Sequence, residues 1–327
     1  MSDTWPTRVG HQRIFVITLS FSIKKVGFAF ELARWRYSPV GILPVLLGAA
    51  VAWHDLHQII WSRFIICLAG VFFAHLGANA ANDYFDELSG IDRIAYETIP
   101  EGRGSQVCGS GVLTLGKMTM REAGFAISVF FGLAFISAVI LTAVCGWMVM
   151  WLAFLGFIFG MFYCAPPIAF GYKGYGLGEL GIFLAFGPLP VVGSYFVQTG
   201  RLSWGALIAS LPLAFFTTSV VFNQHFAHAS ADAAGKKLTP VVLWGEKPMR
   251  LVSRLMLVAV YLSIIAGVGL GFMPVWSLAA LLVSPLILIP AFRLPVPAGA
   301  AASLAFLFKV VQTNILTALL IIISYVV

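Results

Sequence analysis

Two polar runs stand out in an otherwise apolar chain, and both carry residue types able to do chemistry. The first reads Asn82-Asp83-Tyr84-Phe85-Asp86-Glu87-Leu88-Ser89-Gly90-Ile91-Asp92-Arg93, and six of the 13 acidic residues fall between Asp83 and Glu101. Residues three or four apart share a helix face, so Asn82, Asp83 and Asp86 are expected on one side of a helix. Gly90 lets the chain turn and bring Asp92 back toward the same point. Carboxylates gathered in this way repel one another unless a cation joins them. An all-oxygen set suits Mg²⁺, which takes one or two carboxylates together with substrate phosphates. Beyond it, Glu101-Gly102-Arg103-Gly104-Ser105-Gln106 and Gly109-Ser110-Gly111 offer backbone N–H groups and a guanidinium to phosphate oxygens.

The second run reads Asn223-Gln224-His225-Phe226-Ala227-His228-Ala229-Ser230-Ala231-Asp232, followed by Gly235-Lys236-Lys237. His228 and Asp232, four apart, share a helix face, and the two lysines close the helix with positive charge. Taken alone, two histidines near one aspartate fit a metal site or a proton relay equally well. Both runs are acid-bearing helix ends followed by basic loops, as after an internal duplication of a four-helix unit. An anionic, Mg²⁺-bound diphosphate held between them is the ligand this pattern invites.

The elements that must position these groups follow from composition. The 327 residues are 60% hydrophobic and 10% charged, where a soluble domain carries about 25% charge. A soluble enzyme is excluded, and the chain is read as an all-α polytopic membrane protein. Apolar stretches at 39–54, 64–82, 122–143, 147–169, 177–197, 205–224, 252–272, 275–292 and 302–326 predict about nine spans. Residues 13–37 mix basic residues with Phe and Ile and are expected to lie in the membrane interface. With no polar segment of domain size, residues 1–327 form one transmembrane domain, with 1–37 as its N-terminal segment. Seventeen of the 20 Lys and Arg fall on one side of this topology and two on the other. That bias places the N-terminus and the two polar loops in the cytoplasm, in a cell (inner) membrane. The net charge of +7 is spread between apolar runs, so nucleic acid is not an expected partner. The partner is the bilayer.

At Asn82-Asp83-Tyr84-Phe85-Asp86 and Gly90-Ile91-Asp92 the sequence resembles the UbiA superfamily of intramembrane prenyltransferases, most closely its 1,4-dihydroxy-2-naphthoate prenyltransferase branch of menaquinone synthesis. Tyr163-Cys164-Ala165-Pro166-Pro167, Gly176-Leu177-Gly178-Glu179 and Phe186-Gly187-Pro188-Leu189-Pro190 extend the resemblance over roughly residues 30–250. It implies a nine-helix bundle that moves a polyprenyl group from its diphosphate to an aromatic acceptor, with Mg²⁺ as cofactor. Carried over by position, it makes Asp83, Asp86, Asp92 and Asp232 metal ligands, with Asn82 and Asn223 in support. Arg103, Lys173, Lys236 and Lys237 become candidates for holding diphosphate. Glu179 is a substrate-site carboxylate, and His225 or His228 the base that removes the ring proton. The second motif departs from the family's Asn-x3-Asp-x3-Asp. Aligned without a gap, both Asp positions become Ala227 and Ala231. With one inserted residue, His228 replaces the first Asp and Asp232 matches the second. That departure keeps open an acceptor-independent polyprenyl-diphosphate lyase or cyclase, and a degenerate lipid-binding or transport protein. Against a transporter, the polar groups gather at one membrane face and not at the midplane. His75 is read as a helix–helix hydrogen-bonding group.

Overall fold

The computed structural model describes residues 23–99 and 109–327, and among them there are helices and turns but no strand. A short helix, α1 (Ile23–Leu32), precedes the membrane bundle. Then come α2 (Ser38–Leu56), α3 (Trp61–Ser89), α4 (Ile91–Thr98), α5 (Met120–Cys145), α6 (Met148–Met161), α7 (Leu177–Phe186), α8 (Pro188–Thr199), α9 (Trp204–Ala234), α10 (Pro240–Trp244), α11 (Glu246–Gly269), α12 (Ser284–Arg293) and α13 (Gly299–Ser324). Among the described residues, eight helical segments are long and apolar enough to cross a bilayer, α7 and α8 counting together as one. The ninth expected span, 147–169, is shorter than the sequence suggests: α6 has 14 residues. Pro166 and Pro167 lack the N–H groups a helix needs, and residues 162–176 fold back in turns that bring Tyr172 under the ends of α3 and α9.

The core runs between α2, α8, α9, α11, α12 and α13, built on Leu47, Phe216, Leu257, Ile264 and Ile287. Small residues let helices approach closely where lipid gives no hydrophobic drive to associate. At Gly48 of α2 a Cβ would lie 2.2 Å from the Val191 carbonyl oxygen of α8. The outer surface carries Trp147, Trp151, Ile136 and Leu282, all exposed, as suits a surface solvated by lipid. Two of the long helices start on a side-chain cap. Thr119 and Glu122 form a reciprocal capping box on α5, and Ser203 accepts from Gly205 and Ala206 at the start of α9. Helix α1 is tied down by charge, Lys25 to Glu122 and Lys117 to Glu31, each at 2.9 Å, while residues 1–22 of the expected N-terminal segment lie outside the described residues.

Candidate active site

Length lifts the two polar runs out of the hydrocarbon. With 29 residues in α3 and 31 in α9, these helices reach roughly 44 and 46 Å, against ~30 Å of bilayer core. Their C-terminal ends line one cavity, with α4 packed against both α3 and α9. Between them opens a cavity of about 170 Å³. On α3 its wall is His75, Asn79, Asn82 and Asp86, and on α9 it includes Gln224, His225, His228 and Asp232. Asp92 and Lys237 complete the polar end, while Phe159, Tyr163 and Phe186 line the apolar part.

The first motif comes together by a turn at Gly90, whose φ of +78° favours glycine. Asp92 thereby returns to the cavity, buried, and Gly109 packs against its carboxylate: a Cβ there would lie 2.5 Å from Oδ2. Asp86, also buried, accepts from the Tyr172 hydroxyl and has Lys237 Nζ 3.5 Å from Oδ1. Lys237 lies over the Tyr172 ring, 4.7 Å from its centroid. Asp83 is placed differently from its two partners. It accepts from the Arg34 guanidinium and from the Ser110 backbone N–H at 2.7 Å, and does not line the cavity. Arg34 also reaches Asn82 Oδ1, at 3.5 Å.

The electrostatics follow from burial. Burial and the charges of Asp83 and Asp86 push the Asp92 carboxyl well above the usual carboxylate range, against the opposing pull of Arg34 and Lys237. Burial works against the charged forms of Arg34 and Lys237, but the surrounding carboxylates outweigh it and hold both above their ordinary values. The site is a cluster of acids neutralised by two cations.

In the second motif, Asp232 is buried on the cavity wall with Oδ2 lacking any hydrogen-bond partner. His225 Nδ1 stands 3.2 Å from Glu179 Oε1. The pair is off the line of a hydrogen bond, and both atoms are otherwise unbonded. His228 lines the cavity one helical turn before Asp232. Asn223 is turned away. Its amide donates to the Ser219 carbonyl and to Ser253 and accepts from Arg250, so it braces α9 against α11 and is absent from the cavity wall. Of the expected cations Lys237 reaches the site, whereas Lys173 and Lys236 are exposed beside it. Arg103 lies outside the described residues. Sequence reasoning missed two groups, Arg34 and Tyr172. Arg34 was visible only as one of several basic residues before the first span, and nothing local marks Tyr172.

The donor chemistry fits Mg²⁺. Asp86, Asp92, Asp232 and the Asn82 amide are hard oxygen donors, and the orphaned Asp232 Oδ2 is a buried acceptor in want of a cation. They are not drawn to one point: among the described residues no three His, Cys, Asp or Glu side chains are grouped to hold an ion. Arg34, Lys237 and Tyr172 engage the first-motif acids instead.

The all-helical bundle thus brings the acid-bearing ends of its two longest helices to one cavity. Residues 41–312 match the UbiA prenyltransferase family, and the chain belongs to that family, an enzyme of the prenyltransferase class. It is 30% identical over 231 residues to the 2-carboxy-1,4-naphthoquinone phytyltransferase of Synechocystis sp., covering 70% of each chain. It is also 30% identical to the 1,4-dihydroxy-2-naphthoate octaprenyltransferase of Mycobacterium tuberculosis, covering 78% of this chain and 82% of that one. The fold superposes on a digeranylgeranylglyceryl phosphate synthase with a TM-score of 0.64 at 16% identity, over 93% of this chain and 99% of that one. A UbiA homolog from Archaeoglobus fulgidus bound to GPP and Mg²⁺ gives a TM-score of 0.54 at 16% identity, over 90% and 99%.

Proposed function

We propose that the chain transfers a polyprenyl group from its diphosphate to a hydroxylated aromatic acceptor of the naphthoate or quinone-precursor kind. The observation that carries this reading is that three buried carboxylates, Asp86, Asp92 and Asp232, line one cavity together with Lys237 and Arg34, while its other walls are largely apolar. Naphthoate-directed relatives and a structural neighbour holding GPP and Mg²⁺ support the substrate classes. Asp86, Asp92 and Asp232, with Asn82 in support, would hold Mg²⁺, which would supply charge stabilisation to the departing diphosphate. Asp83 positions Arg34 and the Ser110 backbone. Lys237 and Arg34 turn from carboxylates to phosphate oxygens as the substrate enters, forming charge-assisted hydrogen bonds, with Lys173 and Lys236 extending the basic collar.

The allylic C–O bond breaks with its electron pair leaving on diphosphate, and the faces of Tyr163 and Phe159 stabilise the positive carbon. An electron-rich ring carbon attacks it. The ring proton then passes to His225, held beside Glu179 so that the carboxylate balances the imidazolium that forms; His228 is the second candidate on the same wall. The polar end faces the cytoplasm, in the cell (inner) membrane, as the Lys and Arg bias implies.

The test is diphosphate release by the purified protein from geranylgeranyl diphosphate, with and without Mg²⁺ and 1,4-dihydroxy-2-naphthoate, beside Asp86→Ala. Release that requires the metal, the acceptor and Asp86 is expected. Acceptor-independent release would assign a lyase or cyclase, and no release with a panel of tails and acceptors would assign a binding protein.

A further inference from the structure

Below the carboxylates the same cavity carries a second polar station that the transfer chemistry leaves unused. From Asp86 the lining face of α3 descends through Asn82 and Asn79 to His75. At 1.5 Å per residue Asn79 sits roughly 10 Å and His75 roughly 16 Å below Asp86. His75 is 9% exposed, and its Nε2 meets Asn79 Nδ2 at 3.0 Å. Its ring packs edge-on against Phe186, with centroids 5.6 Å apart. Nδ1 faces Gly41, where a Cβ would lie 2.9 Å away, and has no hydrogen-bond partner. A buried polar pair of this kind is costly unless something uses it. With Nδ2 committed to His75, the Asn79 carbonyl Oδ1 is left to the cavity as an acceptor.

Size limits what can sit there. A dry cavity of about 150 Å³ admits a single benzene ring, and the 170 Å³ here also takes in the carboxylate end, so the floor around Asn79 and His75 has room for a compact ring only. An isoprenoid tail also has no hydrogen to give Oδ1, and would bury it unpaired. We infer that this chamber is the acceptor site, and that Asn79, held by His75, selects an aromatic acceptor by accepting a hydrogen bond from its ring hydroxyl. Asn79 is the specificity-determining residue and His75 the positioning residue behind it. The inference deepens the transfer reading and rests on it for the identity of the ligand.

The test uses the full chain in micelles and measures binding directly, with 1,4-dihydroxy-2-naphthoate, its 1,4-dimethoxy analogue and geranyl diphosphate as separate probes. Asn79→Ala is expected to weaken the dihydroxy compound about tenfold, the equivalent of one hydrogen bond, and to leave geranyl diphosphate within about twofold. The dimethoxy analogue, having no O–H to donate, is expected to bind wild type as weakly and to be indifferent to Asn79→Ala. His75→Phe keeps the ring packing and is expected to weaken the dihydroxy compound by a smaller factor in the same direction. Ala185→Leu, which fills the chamber from α7, should abolish acceptor binding alone and so guards against misfolding of the first variant. Equal affinity for the two naphthoates, loss of geranyl diphosphate binding in step with the naphthoate, or no naphthoate binding by wild type would each overturn the assignment. Naphthoate binding through Asn79 with no diphosphate release would overturn the transfer reading and leave the chamber standing. Turnover with acceptor KM unmoved by these variants would do the reverse.

Discussion

Replacing Lys237 by Met removes one of the two cations that neutralise the polar end of the cavity, the one paired with Asp86. Its Nζ is 3.5 Å from Asp86 Oδ1, and the side chain is 10% exposed. At that separation, with an effective dielectric constant of about 20, the attraction is roughly 5 kcal/mol before desolvation is counted. Deleting only the lysine keeps the cost of the dehydrated carboxylate and discards the attraction, a loss of about 3–5 kcal/mol for a buried pair. Asp86→Asn in the same chain removes the stranded charge, so the double variant is expected to recover at least about 2 kcal/mol of that loss. The assay is reversible SDS unfolding in mixed micelles, followed by circular dichroism without Mg²⁺. Added Mg²⁺ should stabilise Lys237→Met more than wild type, because Asp86 is then open to a cation. A single-variant loss under about 1 kcal/mol, or a double variant as unstable as the two singles summed, would refute the claim that this pair holds the site together.

Two further outcomes follow from burial and close packing. The folded protein holds the Asp92 carboxyl above its ordinary value of 3.8 through burial and the neighbouring Asp83 and Asp86. Stability contributed by its protonated form is therefore fully present below that value and is lost as pH rises through the raised one. Asp92→Asn should melt higher than wild type above that window and match it below, while diphosphate release falls; a melting temperature that is lower at neutral pH would contradict this. Gly48→Val forces a side chain onto the Val191 carbonyl, where Cβ alone comes within 2.2 Å, and should cost about 1–3 kcal/mol by overpacking; unchanged unfolding would show that α2 and α8 are not held in that contact.

Much of this architecture is legible in the residues themselves. Hydrophobic runs of bilayer length predict the spans because a membrane offers the backbone no other partner, so nearly every apolar stretch must become a helix. The spacing of Asn82, Asp86 and Asp92 around Gly90 predicts a shared wall for the same local reason: helix periodicity and one turn decide it. The exception among the spans is instructive. Residues 147–169 are apolar throughout, yet α6 ends at Met161, since two prolines break a helix regardless of hydropathy. Within the second motif the sequence alone leaves two alignments open, and in the structure His228 and Asp232 both line the cavity.

What remained hidden is what depends on rotation and on distant segments. Residues 223 and 224 are adjacent, but about 100° of helix turn between them sends Asn223 to Arg250 on α11 and Gln224 to the cavity. Asp83 and Asp86 sit three apart, yet the approach of Arg34 claims the first while Tyr172 and Lys237 claim the second. The sequence by itself determined the membrane, the helices and the chemistry at their ends, because those rest on local periodicity and solvation. Only the tertiary structure decided which acids face substrate space, which cations neutralise them, and that His75 and Asn79 form a polar floor beneath them, because a carboxylate's partner in an apolar interior is set by whichever segment packs against it.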